Sequence, residues 1–153
     1  MMPLPQRIFL VGALVVINHF AWGQCYNCDN QYPLAAQSTT SNSLIDVGIC
    51  NFAGEYSVFN VTAGETYTWT TCGSAGFDTQ LTLFDNGAGC SGTALEDNDD
   101  DCGAESTITW TATFTGQVSV LLSQYFCSSN TLVCGTIQWA CTSCGGGGGA
   151  NYN

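Results

Sequence analysis

The chain has 153 residues and a formal charge of −11, from 12 carboxylates set against one basic residue, Arg7, and one neutral histidine, His19. Beyond residue 23 it has no Lys, Arg or His. That excludes phosphate neutralisation and hence nucleic-acid binding, Ser–His and Cys–His nucleophile pairs, lysine Schiff bases and arginine clamps.

The first 23 residues read as an export signal. Arg7 supplies the basic start, and Ile8 to Ile17 form an apolar run too short to span a bilayer. Ala21 and Gly23 put small residues where a signal peptidase cuts, so the mature chain is expected to begin at Gln24. Gln24 stands where a lipobox needs a small residue, which disfavours a lipid anchor on Cys25. Loss of Arg7 takes the formal charge from −11 to −12. No other apolar stretch is long enough for a membrane span, so the expected product is secreted, extracellular or at the cell surface.

All ten cysteines follow the signal: Cys25, Cys28, Cys50, Cys72, Cys90, Cys102, Cys127, Cys134, Cys141 and Cys144. An even count in an exported chain reads as a disulfide framework whose connectivity the sequence leaves open. Cys25-x-x-Cys28 and Cys141-x-x-Cys144 also have zinc-ribbon spacing. In an oxidising compartment disulfides are the stronger reading. Because the two pairs bracket the domain, they are expected to tie its ends together.

Apolar residues alternate from Tyr56 onward. Tyr56 and Val58 point one way and Phe59 and Val61 the other, before a turn at Ala63-Gly64-Glu65. Tyr67 and Trp69 alternate with threonines, as do Leu81 and Leu83 around Thr82, and Ile108 and Trp110 around Thr109. Val118, Val120 and Leu122 continue the pattern, and Ile137 and Trp139 form a last strand. Turns fall at Asn86-Gly87, Gly89, Ser91-Gly92, Thr115-Gly116 and Ser128-Ser129-Asn130. Many short strands with one apolar face each predict an all-β sandwich or barrel of antiparallel strands, stabilised by disulfides. Trp69, Trp110 and Trp139 are expected in its core. Asn60-Val61-Thr62 is a glycosylation sequon that falls within a predicted strand, where chance is the better reading. Gly145 to Gly149 cannot hold a fold, so residues 145–153 read as a flexible tail or linker.

Five segments together resemble the bacterial pre-peptidase C-terminal (PPC) domain family. They are Ala63-Gly64-Glu65-Thr66-Tyr67-Thr68-Trp69 with Cys72-Gly73; Phe77-Asp78-Thr79-Gln80-Leu81-Thr82-Leu83-Phe84-Asp85; Glu96-Asp97-Asn98-Asp99-Asp100-Asp101-Cys102-Gly103; Ser106-Thr107-Ile108; and Thr115-Gly116-Gln117-Val118-Ser119-Val120-Leu121-Leu122. The resemblance implies a jelly-roll-like β-sandwich over residues 24–144. It implies an accessory role in a secreted multidomain protein, with calcium, collagen or polysaccharide as ligands of some relatives. The cysteine richness and the missing bases depart from the family pattern.

Six carboxylates lie between Glu96 and Glu105. Asp97, Asp99 and Asp101 have the alternate spacing of a calcium loop's first ligands, but Gly103 and Glu105 stand at the wrong offsets for an EF-hand. Packed carboxylates without a cationic neighbour repel one another, and a hard divalent cation relieves that. If residues 79–84 and 94–96 pair as a hairpin, Asp78 returns beside Asp97 and Asp99. Asp78, Asp97, Asp99, Asp100 and Asp101 are therefore the candidate calcium ligands, with a solvated, self-capped acidic turn as the alternative. No organic cofactor is expected.

No catalytic residues are assigned. The expected function is a non-catalytic accessory or adhesion module that binds an extracellular polymer or a neighbouring domain of the same polypeptide. The alternatives are a structural spacer attached to a catalytic domain, and a hydrolase working through two carboxylates.

Overall fold

A computed structural model describes residues 24–145; the predicted export signal and the tail beyond Gly145 lie outside the described residues. Eight strands follow in order: β1 (Ile45–Ala53), β2 (Tyr56–Val61), β3 (Thr66–Thr70), β4 (Thr79–Phe84), β5 (Ala94–Asn98), β6 (Thr107–Thr111), β7 (Gly116–Gln124) and β8 (Asn130–Cys141). They form two antiparallel four-stranded sheets, ordered β1-β8-β3-β6 and β2-β7-β4-β5. Every connection except the β4–β5 hairpin crosses from one sheet to the other, which is the jelly-roll arrangement.

The alternation dictates which side chains meet between the sheets. On β3, Tyr67 and Trp69 turn inward while Thr66, Thr68 and Thr70 turn outward. Each outward threonine hydrogen-bonds its cross-strand partner on β6, Thr111, Thr109 and Thr107, at 2.8, 3.0 and 2.8 Å. Trp69 stands opposite Trp139 of β8, and both are buried. Phe59 of the facing sheet packs on both rings, at centroid distances of 5.5 and 4.6 Å. Leu81, Leu83, Val118, Val120 and Leu122 complete the core from the second sheet. Trp110 is buried as well, so the three tryptophans among the described residues are core residues.

Strand β4 is buried on both faces. Its outer face is covered by the N-terminal arm, where Cys25 packs against Phe84 and Leu121 and its N–H donates to Thr82 Oγ1 at 3.1 Å. Further along, the arm pairs with β2 through Gln31–Tyr56 and Gln37–Phe59 bridges, so this sheet edge is closed.

All ten cysteines are paired: Cys25–Cys127, Cys28–Cys90, Cys50–Cys134, Cys72–Cys102 and Cys141–Cys144. No thiolate remains to hold zinc. The expected tie between the chain ends is not formed. The N-terminal pair is carried onto the second sheet, where Cys127 and Cys90 lie within reach, while Cys141 and Cys144 close a short loop at the end of the first sheet.

Strand β1 departs from the sequence reading, which places no strand before Tyr56. Its alternation is broken between Val47 and Asn51 by a bulge at Gly48, where φ is +72° and an added Cβ would lie 2.6 Å from the Tyr32 ring. Strand β8 also begins at Asn130, seven residues before the predicted strand at Ile137.

Candidate metal centre

The β4–β5 hairpin forms as predicted, with Thr82 opposite Asp97 and Leu81 opposite Asn98. The chain leaving β5 then passes the start of β4. A buried hydroxyl network holds it there. Thr71 Oγ1 and Thr79 Oγ1 are 2.7 Å apart, the Ser106 N–H is shared between them, and Ser106 Oγ lies 2.5 Å from Thr79 O and 2.6 Å from Asp99 O. The Cys72–Cys102 disulfide pins the following loop to the end of β3.

This framework brings carboxylate oxygens of Asp78, Asp99 and Asp100 within 4.8 Å of one another. Asp78 and Asp99 are partly buried and Asp100 is exposed, so the group opens to solvent on one side. Asp78 Oδ1 and Asp99 Oδ1 are both buried without a hydrogen-bond partner in the protein. Burial pushes the Asp99 carboxyl above its ordinary value, and the neighbouring Asp100, Asp78 and Asp97 charges add to the rise; only a hydrogen bond with Gln80 opposes it. Among the described residues there is no basic side chain to compensate.

Residues 45–145 match the family described as Domain of unknown function (DUF8695). The chain belongs to this family. No curated protein matches it. Among solved structures, this DUF8695 chain is similar to the pre-peptidase C-terminal domain of collagenase from Bacillus anthracis, at 13% identity over 71% of this chain and 95% of that one, with a TM-score of 0.42. It is also similar to PliG of Aeromonas hydrophila, a periplasmic inhibitor of g-type lysozyme, at 16% identity over 64% and 83% of the two chains and a TM-score of 0.43. Both likenesses concern the fold alone.

The remaining predicted ligands of the DUF8695 chain lie apart from the trio. Asp97 is on β5, half-buried opposite Thr82, near enough to act on Asp99 through its charge. Asp101 is exposed in the turn, where its N–H and that of Cys102 donate to Glu105 O. Glu105 has a structural task. Its carboxylate accepts from Gly73 N–H at 2.5 Å and Ala75 N–H at 2.9 Å, tying the loop back to the β3–β4 connection. A second group, Glu65 with Cys141 and Cys144, is no metal site, because both sulfurs are in one disulfide.

Sequence reasoning missed the aromatic pair beside the trio. The Tyr125 and Phe126 rings lie 4.2 Å apart and are 45% and 70% exposed. Phe126 and Cys127 have φ of +61° and +54°, a region bulky side chains avoid. The Cys25–Cys127 disulfide and a 2.9 Å hydrogen bond from Cys127 N–H to Gln80 Oε1 hold them there. In the sequence these rings simply extend the apolar run of β7, and nothing signals that the chain turns over after Gln124.

Five disulfides place the folded domain in an oxidising compartment. No helix among the described residues is long and apolar enough to cross a membrane.

Proposed function

We propose that this domain is a non-catalytic, calcium-stabilised module of an exported protein, which binds an extracellular polymer or a neighbouring domain. One observation carries the calcium reading: two buried carboxylate oxygens, Asp78 Oδ1 and Asp99 Oδ1, lack hydrogen-bond partners in a cluster that no basic side chain among the described residues offsets. Burying uncompensated charge is expensive, and a donor set of carboxylate oxygens suits a hard divalent ion. Asp78, Asp99 and Asp100 would hold it, with Asp97 and Asp101 contributing charge. Bound calcium would neutralise the repulsion and lock the 99–105 loop against β4.

Calcium at a hundred times its dissociation constant adds about 2.7 kcal/mol to stability. The melting midpoint should rise in saturating calcium relative to chelator, and the gain should vanish in Asp99→Asn. Equal midpoints in the native chain would sink the calcium site.

The binding part of the proposal is supported by the Tyr125–Phe126 pair. The exposed Phe126 ring sits on a strained backbone, which costs stability, and such strain is retained where it serves a contact. The spacer reading draws on Trp69, Trp110 and Trp139, which are buried and offer no stacking surface. A hydrolase would need two carboxylates facing each other across a substrate cleft. The groove between the N-terminal arm and the turns that join β2 to β3 and β6 to β7 carries one carboxylate, Glu65, and none of the three aspartates.

A further inference from the structure

Each sheet has two edge strands, and β1, β2 and β5 each carry a device that blocks pairing with another chain. β1 is bulged at Gly48, β2 is closed by the N-terminal arm, and β5 combines a register shift with the charges of Glu96 and Asp97. The remaining edge, β6, has none of these. Its sequence, Thr107-Ile108-Thr109-Trp110-Thr111, contains no charge, proline or glycine, and its register with β3 is unbroken. Two flanking bonds fix the phase of that ladder: Ala112 N–H to Glu65 O at 2.8 Å and Thr71 N–H to Ser106 O at 3.0 Å. Alternation then turns the N–H and C=O of Ile108 and Trp110 toward β3, and those of Thr107, Thr109 and Thr111 outward. The Thr107 N–H donates to Asn98 Oδ1 at 2.9 Å. The outward N–H groups of Thr109 and Thr111, and the carbonyls of all these threonines, have no partner among the described residues. Thr109 and Thr111 are also exposed.

The sequence of this edge selects its occupant. Read in either direction it alternates outward threonine with inward apolar residue, so an antiparallel copy matches it in register and in face. Centred on Thr109, the pairing sets Thr109 opposite Thr109 of the partner subunit, where the two exchange both backbone bonds. Each Thr111 N–H then reaches the Thr107 carbonyl of the other chain. Ile108 meets Trp110 of the partner subunit on the inner face. The threonine pairs that already join β3 to β6 continue into the second copy, and two four-stranded sheets become one. Charge favours the same geometry. The acidic 99–105 loop precedes β6, and antiparallel pairing sets it beside the uncharged 112–115 turn of the other chain. The two carboxylate clusters then stay at opposite ends of the interface, whereas parallel pairing would set them side by side.

We infer that the domain pairs with a second copy of itself through β6, as a two-fold dimer centred on Thr109. The inference stands apart from the calcium site and from the Tyr125–Phe126 contact. The test is sedimentation equilibrium of the full chain from micromolar to millimolar concentration. The mass should rise from monomer to dimer and go no higher, because the two-fold pairing uses up the edge. Added salt should tighten the dimer by screening the repulsion of two strongly negative chains. Thr109→Pro removes an outward N–H that takes no part in the β3–β6 ladder, and should raise the dissociation constant about tenfold or more. Thr109→Glu faces its own copy across the two-fold axis and should do the same by like-charge repulsion. Melting midpoints at dilute concentration, matched to the native chain, show that the variants are folded. A second measurement needs no variant: the Thr109 and Thr111 amides of the native chain should exchange hydrogen quickly when dilute and slowly when concentrated. A chain that stays monomeric overturns the inference and leaves the edge to a strand of another protein. A dimer that folded Thr109→Pro and Thr109→Glu form as tightly as the native chain also overturns it. So does a dimer in which the Thr109 and Thr111 amides exchange as quickly as in the dilute protein.

Discussion

The Tyr125 N–H donates to the Asp78 carbonyl at 3.0 Å, so one ladder hydrogen bond joins the exposed aromatic pair to the carboxylate cluster. The two features sit at the same end of β4 and β7, where Thr79 faces Gln124. A change in one is therefore expected to be felt at the other.

Replacing Asp99 by Asn removes a partly buried charge that burial and three neighbouring carboxylates all disfavour. In chelator, Asp99→Asn should melt several degrees above the native chain. In saturating calcium the order should invert, because the variant loses a ligand. Thermal melts of both proteins in both conditions check this; a variant that melts lower in chelator as well would contradict it.

The pH dependence has a defined sign. Asp99 titrates above its ordinary value of 3.8 in the folded chain, so between 3.8 and that raised value the folded state binds more protons than the unfolded one. The Asp99 contribution to metal-free stability therefore falls as pH rises through this window, and acidification through it is stabilising. Denaturant midpoints in chelator should show this slope in the native chain and a weaker one in Asp99→Asn. Calcium should flatten or reverse it, since a bound cation favours the ionised carboxylate.

Cys72–Cys102 closes a loop of sequence separation 30 and pins the segment that carries Asp99 and Asp100. Its removal by paired Ala substitutions should cost about 3.5 kcal/mol on the chain-entropy estimate. It should also weaken calcium stabilisation, which removal of Cys28–Cys90 should not do. Calcium-dependent shifts in the two double variants separate these effects.

Phe126 holds a left-handed backbone conformation that costs about 1–2 kcal/mol for a residue with a Cβ. Phe126→Gly relieves that strain and gives back part of it as unfolded-chain entropy. The melting midpoint should hold or rise, while retention on the polymer ligand falls. A marked drop in the midpoint would mean that the ring packs for stability rather than for contact.

Much of the sandwich was legible because its signal is local. Tyr67 and Trp69 against Thr66, Thr68 and Thr70 repeat with the period of the pleat, and burial follows from that alternation. Strand β1 was illegible for the complementary reason: Gly48 inserts a bulge, and Ile49 is left 88% exposed where the pattern needs an inward residue. The candidate site was legible in part. Asp78 does return to the acidic loop, as the hairpin required, but its carboxylate gathers with Asp99 and Asp100. Asp97 is one of the paired strand residues of β5, and Asp101 turns out with the loop.

Composition alone determined the charge logic: with no Lys, Arg or His beyond residue 23, every carboxylate must find a hydrogen bond, water or a cation. Alternation determined the β-class, and the paired cysteine count determined that a covalent framework exists. The tertiary structure alone decided which cysteines meet, which three aspartates share a site, and that Phe126 faces solvent. Apart from Cys141–Cys144, the cysteine pairs join residues 30 to 102 positions apart, and Asp78 meets Asp99 from the other end of a hairpin. They depend on how two sheets pack and where the arm crosses them, and no local periodicity carries that information.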